Sequence, residues 1–298
     1  MKPEGSSSCW RADLALLGIA FIWGLTFVVV KEALASASTL VFLALRFTLA
    51  TLALAVAFRG RFGSLSLRSR EVRGGVLAGV CLFAGFAFQT FGLRYTTPSK
   101  SAFITGLSIV LVPLLGSFVY RRAPRMSEAM GIAVAAVGMG MLTLEGWAPR
   151  IAFGDLVTLG CAFAFALHIL VVGHYSAGAG FEVLSLTQIA TAAVLAGVTC
   201  GWAEPPRLLW TPSLMAALLI TGLLATALAF SVQAWAQQRT TATRTALIFA
   251  SEPVFAWLAS YLLAGEALGA RAAAGAVLIL AGILLVELKP ITRRSHPS

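Results

Sequence analysis

Ten stretches of about twenty mostly apolar residues, separated by short breaks, constrain this chain more than any other feature. They run over 12–30, 39–58, 74–94, 99–120, 127–145, 154–173, 181–202, 212–236, 243–264 and 267–287. A hydrocarbon layer ~30 Å thick takes about 20 residues of helix to cross. The breaks carry Gly, Pro, Ser or Arg, and none is long enough to hold a separate soluble domain. Inside lipid the backbone must satisfy its own N–H and C=O groups, which leaves helices or a closed barrel. Continuous apolar runs, rather than ~10-residue alternating ones, decide for helices. The expected fold is an all-α polytopic membrane protein with ten transmembrane helices. Composition excludes the alternatives. Charged residues are 11% and hydrophobic ones 59%, against about 25% charged in soluble domains. A soluble enzyme, a nucleic-acid-binding domain and a disordered chain are all ruled out.

The net charge of +10 is then a matter of topology. With the N-terminus inside, fifteen Lys and Arg fall in inner segments and six in outer ones, with Arg46 inside a span. The positive-inside rule therefore predicts cytoplasmic N- and C-termini. The excess charge needs no nucleic acid, and contact with anionic lipid headgroups is its natural outlet. Ala33-Leu34-Ala35 resembles a signal-peptidase site, but the preceding apolar run is long for a signal peptide. Cys9, Cys81, Cys161 and Cys200 show no disulfide or zinc spacing, so neither metal nor cofactor is expected.

The chain repeats itself. Asp13-Leu14, Leu17-Gly18, Ala20-Phe21 and Leu25 recur 142 residues later, from Asp155 to Leu167. Phe86, Gln89, Thr96-Thr97, Ala102 and Ile104 recur at an offset of 144, as Phe230, Gln233, Thr240-Thr241, Ala246 and Ile248. Gly131 and Gly138 recur as Gly275 and Gly282. Two units follow, 1–148 with spans one to five and 149–298 with spans six to ten. An odd number of spans per unit makes the second enter the membrane from the opposite face. Such inverted repeats suit alternating access to a central site. The paired glycines lie seven apart on one helical face and allow close approach. That approach serves packing within one chain or between two copies, so monomer and homodimer both fit.

Certain short motifs occur in order along this framework. They are Trp23-Gly24-Leu25-Thr26-Phe27, Leu45-Arg46-Phe47, Gly154-Asp155-Leu156, Ser251-Glu252-Pro253-Val254-Phe255 and Gly265-Glu266. Together they resemble the EamA family of the drug/metabolite transporter superfamily over nearly the whole chain. The resemblance implies secondary transport of small metabolites, commonly amino-acid export across the bacterial inner membrane. His168 departs from the pattern, since related chains more often carry an aromatic residue there.

Function should lie in polar groups at membrane depth, which lipid penalises. Glu252 lies mid-span beside Pro253, which removes a helical partner from the Phe249 carbonyl. A carboxylate beside a freed carbonyl suits a cation, an ammonium group or a proton. Pro113 does the same to Ile109 and predicts a helix break in the first half. Arg46, with Gln188 at the matching place, suits either a carboxylate clamp or a hold on helix carbonyls or a headgroup. Gln89 and Gln233 fit two halves lining one cavity, or interhelical hydrogen bonding. His168, opposite Thr26 by repeat position, is a candidate for proton coupling together with Glu252. Trp23, Trp235 and Trp257 lie well inside spans and suit apolar cavity walls or plain packing.

The reading is a secondary transporter of a small-molecule substrate, an amino acid with an aromatic lean. Broad-specificity efflux of drugs or toxic metabolites is the alternative. A channel or membrane scaffold would lack saturable flux. A membrane-embedded enzyme lacks its tools here: His168, His174 and His296 have no zinc spacing, and Gly106-Leu107-Ser108-Ile109-Val110 lacks the closing Gly of a nucleophile elbow. No Walker motif supports ATP hydrolysis.

Overall fold

The computed structural model describes residues 6–61, 69–96, 98–120, 126–143, 153–176, 180–264 and 269–287. The motif Gly265-Glu266 lies outside them. The described residues are helical almost throughout. The helices are α1 (Ser6–Ala33), α2 (Thr39–Ala57), α3 (Arg70–Tyr95), α4 (Pro98–Gly106), α5 (Ser108–Tyr120), α6 (Met126–Thr143), α7 (Phe153–Ser176) and α8 (Phe181–Thr199). After these come α9 (Pro212–Leu219), a π-helical stretch (Ile220–Leu228), α10 (Ala229–Gln237), α11 (Ala242–Phe249), α12 (Glu252–Ala264) and α13 (Ala270–Glu287). Side-chain caps start several of them. Ser69 accepts from the Val72 N–H, Thr211 from Leu214 ahead of Pro212, and Thr241 from Arg244.

Seven helical segments are long and apolar enough to cross a membrane: Trp10–Ala33, Thr39–Ala57, Arg70–Tyr95, Ser101–Val119, Phe153–Ser176, Phe181–Thr199 and Pro212–Gln237. Met126–Met141 and Ala270–Leu285 are shorter apolar helices, and the stretch over 243–264 is divided between α11 and α12. Large apolar side chains point outward along the bundle, among them Val56, Val80, Phe118, Leu156, Val194 and Val277. A water-soluble monomer does not expose so continuous an apolar surface. The chain is a multi-pass integral membrane protein.

Two apolar clusters fill the interior. One joins α1, α5, α6 and α7 to α10, α11 and α13, and the other joins α1, α2, α3, α8, α9 and α10. Trp23 packs against both. The glycine pairs found in the sequence are spent inside the chain, where α6 crosses α13. A Cβ on Gly138 would stand 2.6 Å from the Gly275 carbonyl oxygen, and one on Gly282 would stand 2.6 Å from that of Gly131. Gly138→Val is therefore expected to lower the thermal midpoint in detergent, since overpacking costs about 1–3 kcal/mol. Oligomeric mass on size exclusion should stay as it was; a mass change without destabilisation would move this face to a subunit interface.

Spans four and nine are both interrupted, the second beside its proline and the first away from it. In span four the break falls at Leu107, between α4 and α5, and Pro113 sits within α5. It leaves the Ile109 carbonyl without its helical donor, yet α5 runs on through it to Tyr120. In span nine the break falls at Ala250–Ser251, and Pro253 is the second residue of α12, where a missing N–H costs little. Leu107 and Ser251 are related by the 144-residue offset, and their backbones match bond for bond. Leu107 N donates to Ile104 O, while Val110 N and Leu111 N donate to Leu107 O. Ser251 N donates to Ile248 O, while Val254 N and Phe255 N donate to Ser251 O.

Opposite ends of the bundle are held by different polar contacts. At one end Arg94 pairs with Glu204 at 2.5 Å, and Glu204 also accepts from the Leu40 N–H. Nearby, Lys31 Nζ donates to the carbonyls of Leu93 and Thr96 at the end of α3. At the other end Arg244 pairs with Asp13 at 2.6 Å.

Candidate functional site: a cavity between the two helix breaks

The two breaks border one cavity of roughly 730 Å³, counting its open mouth. Its walls follow from helical spacing. Trp23, Thr26, Phe27 and Val30 form one face of α1, and Phe165, His168 and Ile169 form one face of α7. Phe86, Gln89 and Leu93 come from α3, and Phe230 and Gln233 from α10. Thr105, Gly106 and Ser108 flank the first break, and Phe249 and Glu252 the second. Arg46 reaches in from α2. Most of these residues pair up by the sequence offsets: Trp23 with Phe165, Thr26 with His168, Phe86 with Phe230, Gln89 with Gln233, and Ser108 with Glu252.

Glu252 opens α12 and contributes the cavity's carboxylate. Gly24 brings α1 against this turn: a Cβ there would lie 2.8 Å from the Glu252 carbonyl oxygen. Among the described residues no cation pairs with Glu252. Arg46, buried to 2% exposure, is already engaged. Its Nε donates to Thr226 Oγ1 at 2.7 Å, and its guanidinium carbon lies 4.3 Å over the Phe86 ring. Trp23 Nε1 donates to the Ala225 carbonyl at 2.8 Å, and its ring packs on Phe230 and Phe249. Both Thr226 and Ala225 belong to the π-helical stretch, so one irregular turn ties α1 and α2 to the wall.

His168 is hydrogen-bonded through Nε2 to Gln188 Oε1 at 2.8 Å, with its ring edge-on to Phe230. Thr26 donates to the Trp23 carbonyl. The two glutamines differ in their partners. Gln89 Nε2 bonds the Thr105 hydroxyl, and a hydroxyl accepts either orientation of an amide. Gln233 Nε2 donates to Gln237 Oε1, and Gln237 Nε2 in turn donates to the Ile169 carbonyl. A carbonyl takes only donors, so Gln237 is fixed, and Gln233 must turn its nitrogen toward Gln237 and its Oε1 away from it. That Oε1 is buried without a partner.

Trp235 and Trp257 do not reach the cavity. Trp235 lies at the far end of α10 under Arg239, whose guanidinium carbon is 4.5 Å from its ring. Trp257 is half-buried on α12, and neither residue is among the cavity wall. Sequence reasoning passed over Ser108, Thr105 and the rings of Phe86, Phe165, Phe230 and Phe249. The repeat offsets would have supplied two of them, because Ser108 and Phe165 stand opposite Glu252 and Trp23. Among the described residues no group of His, Cys, Asp or Glu is arranged to hold a metal.

An all-helical membrane bundle with a mostly apolar cavity, carrying a few polar groups, between two broken helices has a form suited to a carrier of small solutes. The model of the EamA-like transporter family matches residues 10–144 and again 152–288, and the chain belongs to that family. An uncharacterized transporter from Archaeoglobus fulgidus is 33% identical over 93% of this chain and 86% of its own length. The uncharacterized transporter YoaV of Bacillus subtilis is 21% identical over 92% of this chain and 96% of its own length. A solved crystal structure shares the fold with a TM-score of 0.78 at 19% identity, covering 93% of this chain and 98% of the other.

Proposed function

We propose that the chain is a ten-span secondary transporter working by alternating access, built from inverted repeats over 1–148 and 149–298, with both termini in the cytoplasm. Its cargo is an amino acid, with an aromatic lean, exported across a bacterial inner membrane. The observation that carries this reading is the cavity itself, walled by residues paired through the repeat offsets. A site built equally by two opposed halves stays central while the halves rock about it. Glu252 gives it an acceptor for an ammonium group, and Gln233 lies in the same wall. Phe86, Phe165, Phe230 and Phe249 give an apolar surface for a ring. Proton coupling falls to Glu252 or His168, or is absent in facilitated exchange. Those aromatic walls also favour the second reading, efflux of varied apolar cations.

Purified protein in liposomes loaded with phenylalanine, tryptophan or leucine should show saturable counterflow of the labelled amino acid. Counterflow of aromatic cations but of none of the amino acids would shift the assignment to broad efflux. Unsaturable flux without trans-stimulation would indicate a channel.

A further inference from the structure

The two helix breaks are related by the 144-residue offset, yet they present opposite chemistry to the cavity. Glu252 opens α12, so the positive N-terminal end of that helix already holds an anion of its own chain. Its offset partner, Ser108, opens α5, whose first turn holds no acidic residue. Ser108 lines the cavity, is only 7% exposed, and its hydroxyl makes no hydrogen bond among the described residues. Carbonyls of this turn are taken: Ile104 O accepts from Leu107 N, and Leu107 O accepts from Val110 N and Leu111 N. A hydroxyl with a proton to give therefore stands at the positive end of one half-helix. A carboxylate, which only accepts, stands at the other.

The breaks also lie side by side. A Cβ on Gly106, the last residue of α4, would stand 3.9 Å from Cγ of Pro253, the second residue of α12. An α-amino acid carries its ammonium and its carboxylate on one carbon, so the groups that receive them must be neighbours. Arg46, the other candidate for the carboxylate, has its Nε on Thr226 and its flat face on Phe86. We propose that the first break is a carboxylate subsite: Ser108 Oγ, at the N-terminus of α5, receives the cargo's α-carboxylate while Glu252 receives its α-ammonium. This deepens the amino-acid reading above and rests on it. Each half then reads one end of the zwitterion, as half-helix N-termini do for anionic cargo groups in broken-helix carriers. Ser108 separates an amino acid from the amine of the same skeleton, because the amine leaves a buried hydroxyl and a helix end without their partner.

The test reads binding by calorimetry on the purified chain in detergent. The probes are phenylalanine, phenethylamine, which lacks the carboxylate, and 3-phenylpropionate, which lacks the ammonium. The wild-type chain should bind phenylalanine about thirty-fold more tightly than phenethylamine, since an unpaired buried group costs more than one lost bond. Ser108→Ala should weaken phenylalanine about ten-fold, the loss of one hydrogen bond to a charged group, and shift phenethylamine less than two-fold. Ser108→Asp gives the first break the kind of acid its partner has, and should reverse the preference in favour of phenethylamine. Glu252→Gln should weaken phenylalanine and phenethylamine and leave 3-phenylpropionate no weaker. A merely structural Ser108 would weaken all three probes together. Where Ser108→Asp does not fold, the split between probes in Ser108→Ala decides alone. Equal losses of phenylalanine and phenethylamine in Ser108→Ala, a wild-type chain that does not separate the two, or no binding of phenylalanine overturns the proposal. Counterflow of phenylalanine is measured on the same proteins. Counterflow without the Ser108→Ala split removes the subsite and leaves the transport reading; the split without counterflow removes the transport reading and leaves the subsite.

Discussion

Replacing Glu252 by Gln is expected to cut amino-acid counterflow about 30-fold or more, because an unpaired partner charge in a buried site costs about 2 kcal/mol or above. The geometry makes this the sharpest test of the cavity. Glu252 is the carboxylate in the wall, it opens α12 at the helix break, and no cation of the described residues neutralises it. Gln keeps the size and the hydrogen-bonding capacity while removing the charge, so the helix break and the Gly24 contact should survive. The thermal midpoint should move by no more than a few degrees. Gln89→Ala is expected to cost only about five-fold, since a single neutral hydrogen bond contributes roughly 1 kcal/mol. Wild-type counterflow in the Glu252 variant would remove the carboxylate from substrate binding and from proton exchange alike.

Much of this is legible in the sequence, and the limits of that legibility are physical. Helical spans are written in long apolar runs because lipid leaves the backbone no other partner. The cavity walls were legible where residues are both polar and deep: Thr26, Arg46, Gln89, His168, Gln233 and Glu252 all reach the cavity. Aromatic residues were harder to place. Tryptophan inside a span serves packing as readily as a wall, and only Trp23 of the three expected reaches the cavity. Proline misled in the first half, because a helix break is set by the backbone over a whole turn, and Leu107 carries no such mark. The π-helical stretch over 220–228 was invisible. Ile220–Leu228 reads as ordinary helix, and the groups that engage its irregular turn, Trp23 and Arg46, come from other helices.

Arg46 presents the remaining large effect, and it concerns stability before transport. One N–H of its guanidinium is given to Thr226, a second approaches the Ala225 carbonyl at 3.5 Å, and its face covers Phe86. Thr226 Oγ1 in turn donates to the Thr221 carbonyl, five residues back, along the π-helical turn. Arg46 is thus a staple between α2 and that turn, with the cavity on its flank. Arg46→Met should destabilise the protein by about 1.5–3 kcal/mol, the range for hydrogen bonds to a charged donor. Arg46→Lys should recover little, because a lysine ammonium has neither the fork nor the flat face that Thr226 and Phe86 receive. Thr226→Val removes the acceptor while keeping the shape. A double-mutant cycle between Arg46→Met and Thr226→Val, read from unfolding in detergent, should therefore give a coupling of about 1–3 kcal/mol. If the cycle instead shows no coupling, and Arg46→Lys keeps full stability while raising the half-saturating substrate concentration, then the guanidinium serves the cargo's carboxylate and the π-helical turn stands without it.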